Sequence, residues 1–240
     1  MRSFDYIESG KTLLTPHTTS LLAAIHEAKG RQSIQTTIRP DILGTLVAVA
    51  RIQSTDASNR IEGMRMSDSR LNDLVSEKVT PRNRNEEEIA GYRDALSVIH
   101  ESHDYIPITP NVILQLHRDL FRHTPLTFAG HFKDSDNVII ERDAHGTSTV
   151  RFAPPSALVT PELIERACSA YTQAIRDGHT DPLLAIAMFI LDFTCIHPFN
   201  DGNGRMSRLL TLLMLCRNGY MVGKYISIEH LIEQSKSTYY

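Results

Sequence analysis

The fourteen residues from Leu183 to Ile196, LLAIAMFILDFTCI, are apolar on nearly every side. A helix without a polar face has no place at a surface, so any fold of this chain must wrap other elements around that segment. It is a buried helix rather than a membrane span, because it falls short of the roughly 20 continuous apolar residues a span needs. No other stretch comes closer. The N-terminal MRSFDYIESGKTLL lacks the apolar run of a secretory signal, and the chain is read as cytosolic.

The rest of the sequence supplies the wrapping. Thr15-Pro16, Thr80-Pro81, Thr109-Pro110, Thr160-Pro161 and Asp181-Pro182 each pair an oxygen-bearing N-cap with a proline suited to a first helical turn. Helical periodicity follows in Leu21, Leu22 and Ile25 with a stop near Gly30, in Ile42 to Ala50, and in Ile89, Tyr92, Leu96 and Ile99. Further helices are predicted at about 109–122, 160–176, 181–195 and 203–217, so the fold is mainly α. One place differs: Asn137 to Glu141 and Ser148 to Phe152 are β-branched runs around a polar, Gly-containing turn, which predicts a β-hairpin. A lone hairpin in a helical protein is marginal by itself and is either a lid or an edge for strand pairing. A seam at Ser102 to Thr109 divides the reading into an N-terminal helical region, 1–101, and a core, 102–240, packed as one unit.

Charge and sulfur content narrow the function classes. A net charge of −3 with interspersed signs gives no overall basic excess for a phosphate backbone, so a nucleic-acid ligand is not expected. Cys168, Cys195 and Cys216 are odd in number, lack CxxC spacing and read as reduced core residues. The histidines form no HExxH pair, and a His-built zinc site is not expected. Arg82-Asn-Arg84 and Glu86-Glu-Glu88 read as a solvated loop and an acidic helix start. His117-Arg-Asp-Leu120 spells the opening of a kinase catalytic loop, but Thr124 stands where its Asn belongs and no DFG follows.

The chemistry is concentrated after the apolar helix, in His197-Pro-Phe-Asn-Asp201-Gly-Asn-Gly-Arg205-Met-Ser-Arg208. Gly202-Asn203-Gly204 opens a helix, so backbone N–H groups and the positive helix end converge where an anion can sit. Arg205 and Arg208 add guanidinium forks for further phosphate oxygens. Asp201 would repel phosphate unless it carries Mg²⁺. His197 can take a proton from a hydroxyl at neutral pH. Read blandly, the same residues are a glycine-rich helix start with surface arginines.

The complete string resembles the Fic family signature, His-Pro-Phe-x-(Asp/Glu)-Gly-Asn-Gly-Arg-x-x-Arg, at all nine specified positions. The likeness extends to Gly130-His-Phe-Lys133, where many relatives carry Arg in place of Lys133, to the hairpin as the family's flap, and to Phe152-Ala-Pro-Pro155. It implies a Fic-type helical core with a short β-hairpin flap, and adenylyl transfer from ATP to a Ser, Thr or Tyr hydroxyl of a protein, known as AMPylation. By that analogy His197 is the base and Asp201 holds Mg²⁺. Gly202, Asn203 and Gly204 make the anion hole, Arg205 and Arg208 grip the β and γ phosphates, and Tyr239 belongs to the adenine end. Val138, Ile139 and Ile140 of the flap would dock the target by strand addition.

Upstream, Ser58-Asn-Arg-Ile-Glu62-Gly63 resembles the family's inhibitory sequence, Ser/Thr-x-x-x-Glu-Gly/Asn. Ser58 and Glu62 stand i and i+4 on one helix face, and Gly63 supplies a stop. The resemblance implies an inhibitory helix over about 41–63 in which Glu62 pairs with Arg208 and denies it to the γ-phosphate. Two other readings stay open: a hydrolase that removes AMP with the help of Glu62, and a silent nucleotide-binding module. A homodimer is compatible with all three. Tyr239-Tyr240 reads as the beginning of a helix that relatives continue, which suggests a truncated or naturally short form.

Overall fold

Oxygen-bearing caps start several of the helices. Thr109 Oγ accepts from Val112 N–H at 3.4 Å, Asp181 Oδ1 from Leu183 N–H at 2.9 Å, and Ser227 Oγ from His230 N–H at 3.0 Å. In this computed structural model, residues 4–38, 40–142 and 148–235 are described. They form α1 (Tyr6–Leu13), α2 (Pro16–Ile38), α3 (Pro40–Ile61), α4 (Asp68–Val75), α5 (Arg84–Ser102), α6 (Pro110–Leu120), β1 (Ile139–Arg142) and β2 (Ser148–Phe152). The chain continues through α7 (Thr160–Asp177), α8 (Pro182–Ile196), α9 (Asn203–Arg217), α10 (Val222–Tyr225) and α11 (Ile228–Gln234). The expected mainly helical fold with one hairpin is what forms. Among the described residues no helix is long and apolar enough to cross a membrane.

The apolar segment becomes α8, packed against α1, α7 and α9. Phe189 and Phe193 are fully buried, and its one acid, Asp192, accepts the Tyr6 hydroxyl at 2.8 Å, which fastens α1 to the core. Helix α5 is equally central: Tyr92, Ala95, Leu96 and Ile99 are fully buried where it meets α3, α6 and α9. None of the three cysteines forms a disulfide among the described residues, and Cys168 and Cys216 lie within the core.

Two predicted boundaries are corrected. Pro81 does not open a helix; α5 starts three residues later at Arg84, where Asn83 caps Glu86 N–H at 3.0 Å. Gly30 does not stop α2, which runs on to Ile38, because a mid-helix glycine lowers stability without forcing the left-handed turn that ends a helix. The periodic Leu21, Ile25, Ile42, Leu46 and Val49 also stay exposed, with only Leu22 and Ala50 of that pattern buried. Their period marks an apolar face of α2 and α3 that lies on the outside.

Helices α5 and α6 approach so closely that a β-carbon at Gly91 would overlap the Leu120 carbonyl oxygen. Gly91→Ala is expected to destabilise the fold by about 1–3 kcal/mol through overpacking. Gly30→Ala, with nothing within 4 Å of the new methyl, is expected to stabilise it by up to ~1 kcal/mol. Urea midpoints of the two variants check the contrast, and equal shifts would contradict the close approach.

The hairpin is antiparallel, pairing Ile139 with Phe152, Ile140 with Val150 and Arg142 with Ser148, with a bulge between the first two pairs. Val138, Ile140, Val150 and Phe152 are exposed on it, whereas Ile139 is partly buried.

Candidate active site

The loop between α8 and α9 is shaped by its own side chains. His197 caps α8 in the left-handed region, φ +50°, with its N–H donating to the Phe193 carbonyl at 3.0 Å. That conformation is costly for a residue with a β-carbon, and the surrounding bonds hold it. The Asn203 carboxamide accepts from Phe199 N–H at 2.9 Å and donates to the Phe199 carbonyl at 2.8 Å, closing the loop on itself. Asn203 therefore offers a ligand its backbone N–H and not its side chain. Gly202 enters α9 at φ +81°, and Met206 N–H donates back to the Gly202 carbonyl at 2.8 Å. The N–H groups of the first turn have no intrahelical acceptor and face outward from the helix end.

Residues before the hairpin hold this loop from the other side. Lys133 N–H donates to the Pro198 carbonyl at 2.8 Å, and its Nζ donates to the Ile196 carbonyl at 3.1 Å and to Asn137 Oδ1 at 2.9 Å. Asn137 Nδ2 in turn donates to the Phe199 carbonyl at 3.3 Å, so the root of the flap is tied to the residues around His197. His117, set aside in the sequence as a kinase-like decoy, proves to be the central buried brace. Its ring stacks on Phe199 with centroids 3.7 Å apart, accepts from Gly130 N–H at Nδ1 (2.9 Å) and meets the Asp201 carbonyl at Nε2 (3.1 Å). Burial pushes its pKa down to about 4. The neutral ring must then carry its proton on Nε2, since Nδ1 is used as an acceptor.

At the loop's end, Asp201 is 45% exposed; Oδ1 accepts from Gly202 N–H at 2.6 Å, and Arg84 and Arg205 guanidinium nitrogens lie 3.6 Å away. Upstream, Arg82 to Arg84 are exposed and Glu86 and Glu87 lie in the first turn of α5, as the sequence reading has it, but Glu86 and Glu88 are buried in ion pairs. Glu88 is buried and takes Arg84 on Oε1 and Arg205 on Oε2, both at 2.7 Å, while Glu86 pairs with Arg70 at 2.7 Å. Arg205, expected to grip phosphate, is 2% exposed and packed over the Phe121 ring at 5.0 Å. Its guanidinium points into the fold.

Arg208 is also buried, and it is held by the end of α3. Its Nε donates to Ser58 Oγ at 2.8 Å, and its Nη2 donates to the Ser58 carbonyl at 2.9 Å and to Glu62 Oε1 at 2.7 Å. Glu62 stands one residue past α3, not on its face. Gly63 N–H donates to the Arg60 carbonyl (2.9 Å) and Met64 N–H to the Asn59 carbonyl (3.0 Å), a Schellman turn in which Gly63 takes φ +86°. The glycine of the sequence pattern is thus what swings the chain out and leaves Glu62 at the cap. A β-carbon on Gly204 would collide with Glu62 Oε1, so the carboxylate lies directly over the α9 N-terminus. Burial lowers the His197 pKa, opposed by the Thr194 carbonyl, reinforced by Lys133 and opposed again by Glu62.

Residues 107–215 match the family model described as Fic/DOC family. The chain carries a Fic/DOC domain. It is 37% identical over 100 residues to a Fido domain-containing protein of Dictyostelium discoideum, covering 40% of this chain and 65% of that protein. It is 26% identical over 171 residues to the protein adenylyltransferase Fic of Nematostella vectensis, covering 68% of this chain and 37% of that one. A solved Fic domain-containing signaling protein from Bacteroides thetaiotaomicron superposes with a TM-score of 0.74 at 23% identity, over 90% of this chain and 79% of that one. The last comparison establishes a shared fold well beyond the matched residues. The Fic domain match contains His117, Lys133, His197 and Asp201 to Arg208, whereas Ser58, Glu62, Arg84 and Glu88 precede it. One end of the domain's central loop is therefore completed from upstream.

The structure brings His197, Asp201, Gly202, Asn203, Gly204, Arg205, Arg208, Ser58 and Glu62 into one place, with Val138, Ile139 and Ile140 on the adjoining flap. Tyr239 lies outside the described residues. The sequence reading missed His117, Asn137 and Glu88 as parts of the site. The position of Glu88 one helical turn after Arg84 was the available signal.

Proposed function

We propose that this chain is a protein adenylyltransferase restrained by its own Glu62. The observation that carries this reading is the Glu62 carboxylate lying over the α9 N-terminus and bonded to Arg208 at 2.7 Å. That position combines helix N–H donors with a guanidinium and suits a phosphate, so carboxylate and phosphate compete for it. With Glu62 displaced, Arg208 and the first turn of α9 take the polyphosphate, and His197 accepts the proton of a target hydroxyl. The hydroxyl oxygen bonds to the α-phosphorus as the α–β phosphoanhydride breaks, and pyrophosphate leaves with the electron pair.

Asp201 fits a magnesium ion, which commonly binds through one or two carboxylates plus substrate phosphates; it is accessible, and both arginines beside it lie beyond hydrogen-bonding distance. When bound there, the ion would neutralise charge on the leaving pyrophosphate. The exposed Val138 and Ile140 and the free edge of the hairpin suit a target segment added as a strand.

The test is transfer from ATP labelled at the α or the γ phosphate, incubated with Mg²⁺, Glu62→Gly protein and a cell lysate. Protein-bound label from the α position and none from the γ position is expected. Label from the γ position would instead indicate phosphoryl transfer and sink the reading. The reverse reaction is a second reading, because Glu62 is 36% exposed and within reach of water that could release AMP. It predicts loss of label from pre-modified protein with the wild type and retention with Glu62→Gly.

A further inference from the structure

We propose that Arg84 is a phosphate-binding residue of this site, held ready over Asp201 by Glu88. The proposal rests on the nucleotide reading above and extends it to a residue outside the Fic domain match.

Two arginines flank Asp201, and the structure gives them different freedoms. Arg205 is 2% exposed, paired with Glu88 and packed on Phe121, so it cannot reach outward without unpacking the core. Arg84 opens α5, is 59% exposed, and is fixed only through Nε, which donates to Glu88 Oε1 at 2.7 Å. Its Nη1 and Nη2 make no hydrogen bond among the described residues, and Nη2 stops 3.6 Å from Asp201 Oδ2. An anchored guanidinium whose two terminal nitrogens make no hydrogen bond among the described residues presents the parallel N–H pair that binds phosphate oxygens. Glu88 serves both arginines at once, one oxygen to each, so the carboxylate that locks Arg205 inward also aims Arg84 outward.

Electrostatics favours the same assignment. Arg84 partly balances Asp201 as the structure stands. Once Asp201 turns to a cation, Arg84 loses that counter-charge, and an incoming polyphosphate replaces it. Arg84 then moves by side-chain rotation alone.

Calorimetry of ATP with Mg²⁺, and separately with EDTA, on wild type, Arg84→Ala, Arg84→Lys and the exposed neighbour Arg82→Ala tests this. Arg84→Ala is expected to weaken ATP binding with Mg²⁺ by about tenfold, the size of one charge-assisted hydrogen bond. Arg84→Lys should recover part of the loss, and Arg82→Ala should bind as wild type. Unchanged or tighter binding by Arg84→Ala would overturn the proposal while leaving the nucleotide reading intact, since tighter binding means that Arg84 only obstructs Asp201. No ATP binding by either wild type or Glu62→Gly would overturn both. Thermal melts of each variant separate lost contacts from lost folding.

Discussion

Glu62→Gly transfers label from α-labelled ATP at least about tenfold faster than wild type. The expected size follows from what the substitution removes: a charge-assisted bond of roughly 1.5–3 kcal/mol that competes with phosphate for Arg208. Folding should barely notice, because Ser58 continues to hold Arg208 through Nε and Nη2. Glu62 itself is 36% exposed, so removing its side chain leaves no cavity in the core. Glu62→Gln, which keeps the shape and drops the charge, should fall between the two. Activity of Glu62→Gly no higher than wild type would remove the restraint from the account.

His197→Ala, placed in the Glu62→Gly background, cuts transfer by about 10²–10⁴-fold while ATP affinity stays within a factor of about two. The separation matters, since a histidine needed only for loop shape would take nucleotide binding down with it. The pH profile supplies an independent check. Burial disfavours the imidazolium, so the His197 pKa lies below the ordinary value of about 6.5, and catalysis uses the neutral ring. The rate therefore rises with pH through that lowered pKa and is level at neutrality. Removing Glu62 takes away a charge that favours the imidazolium, so the acidic limb of Glu62→Gly should lie at lower pH than that of wild type. An acidic limb centred at pH 7 or above would exclude His197 as the base.

Much of this was legible because it is local. The unbroken apolar run of Leu183 to Ile196, the caps at Thr109 and Asp181, the β-branched runs of the hairpin and the glycine-rich helix start after His197 each act within a few residues, and all formed as expected. The pairing of Glu62 with Arg208 spans 146 residues and was reached only through resemblance, since no spacing rule relates the two. The same distance hid the rest. Arg205 reads as a ligand residue until Glu88, 117 positions earlier, is found opposite it. His117 looks like a coincidence of letters until Phe199 is stacked against its ring. Gly30 misled for the opposite reason: a glycine signals a helix end only when the chain beyond it turns, and here it does not.

Glu62 is held by the last turn of a helix, and a last turn can fray alone. Terminal turns open at free energies far below that of the whole fold, so the carboxylate can leave the α9 N-terminus while the body of α3 stays docked on α5, α10 and α11. Restraint of this kind is a local opening equilibrium, graded rather than all-or-none. Its set point lies in the Schellman bonds around Gly63, which touch neither His197 nor the phosphate site, so the working level of the protein can be tuned by residues that take no part in its chemistry.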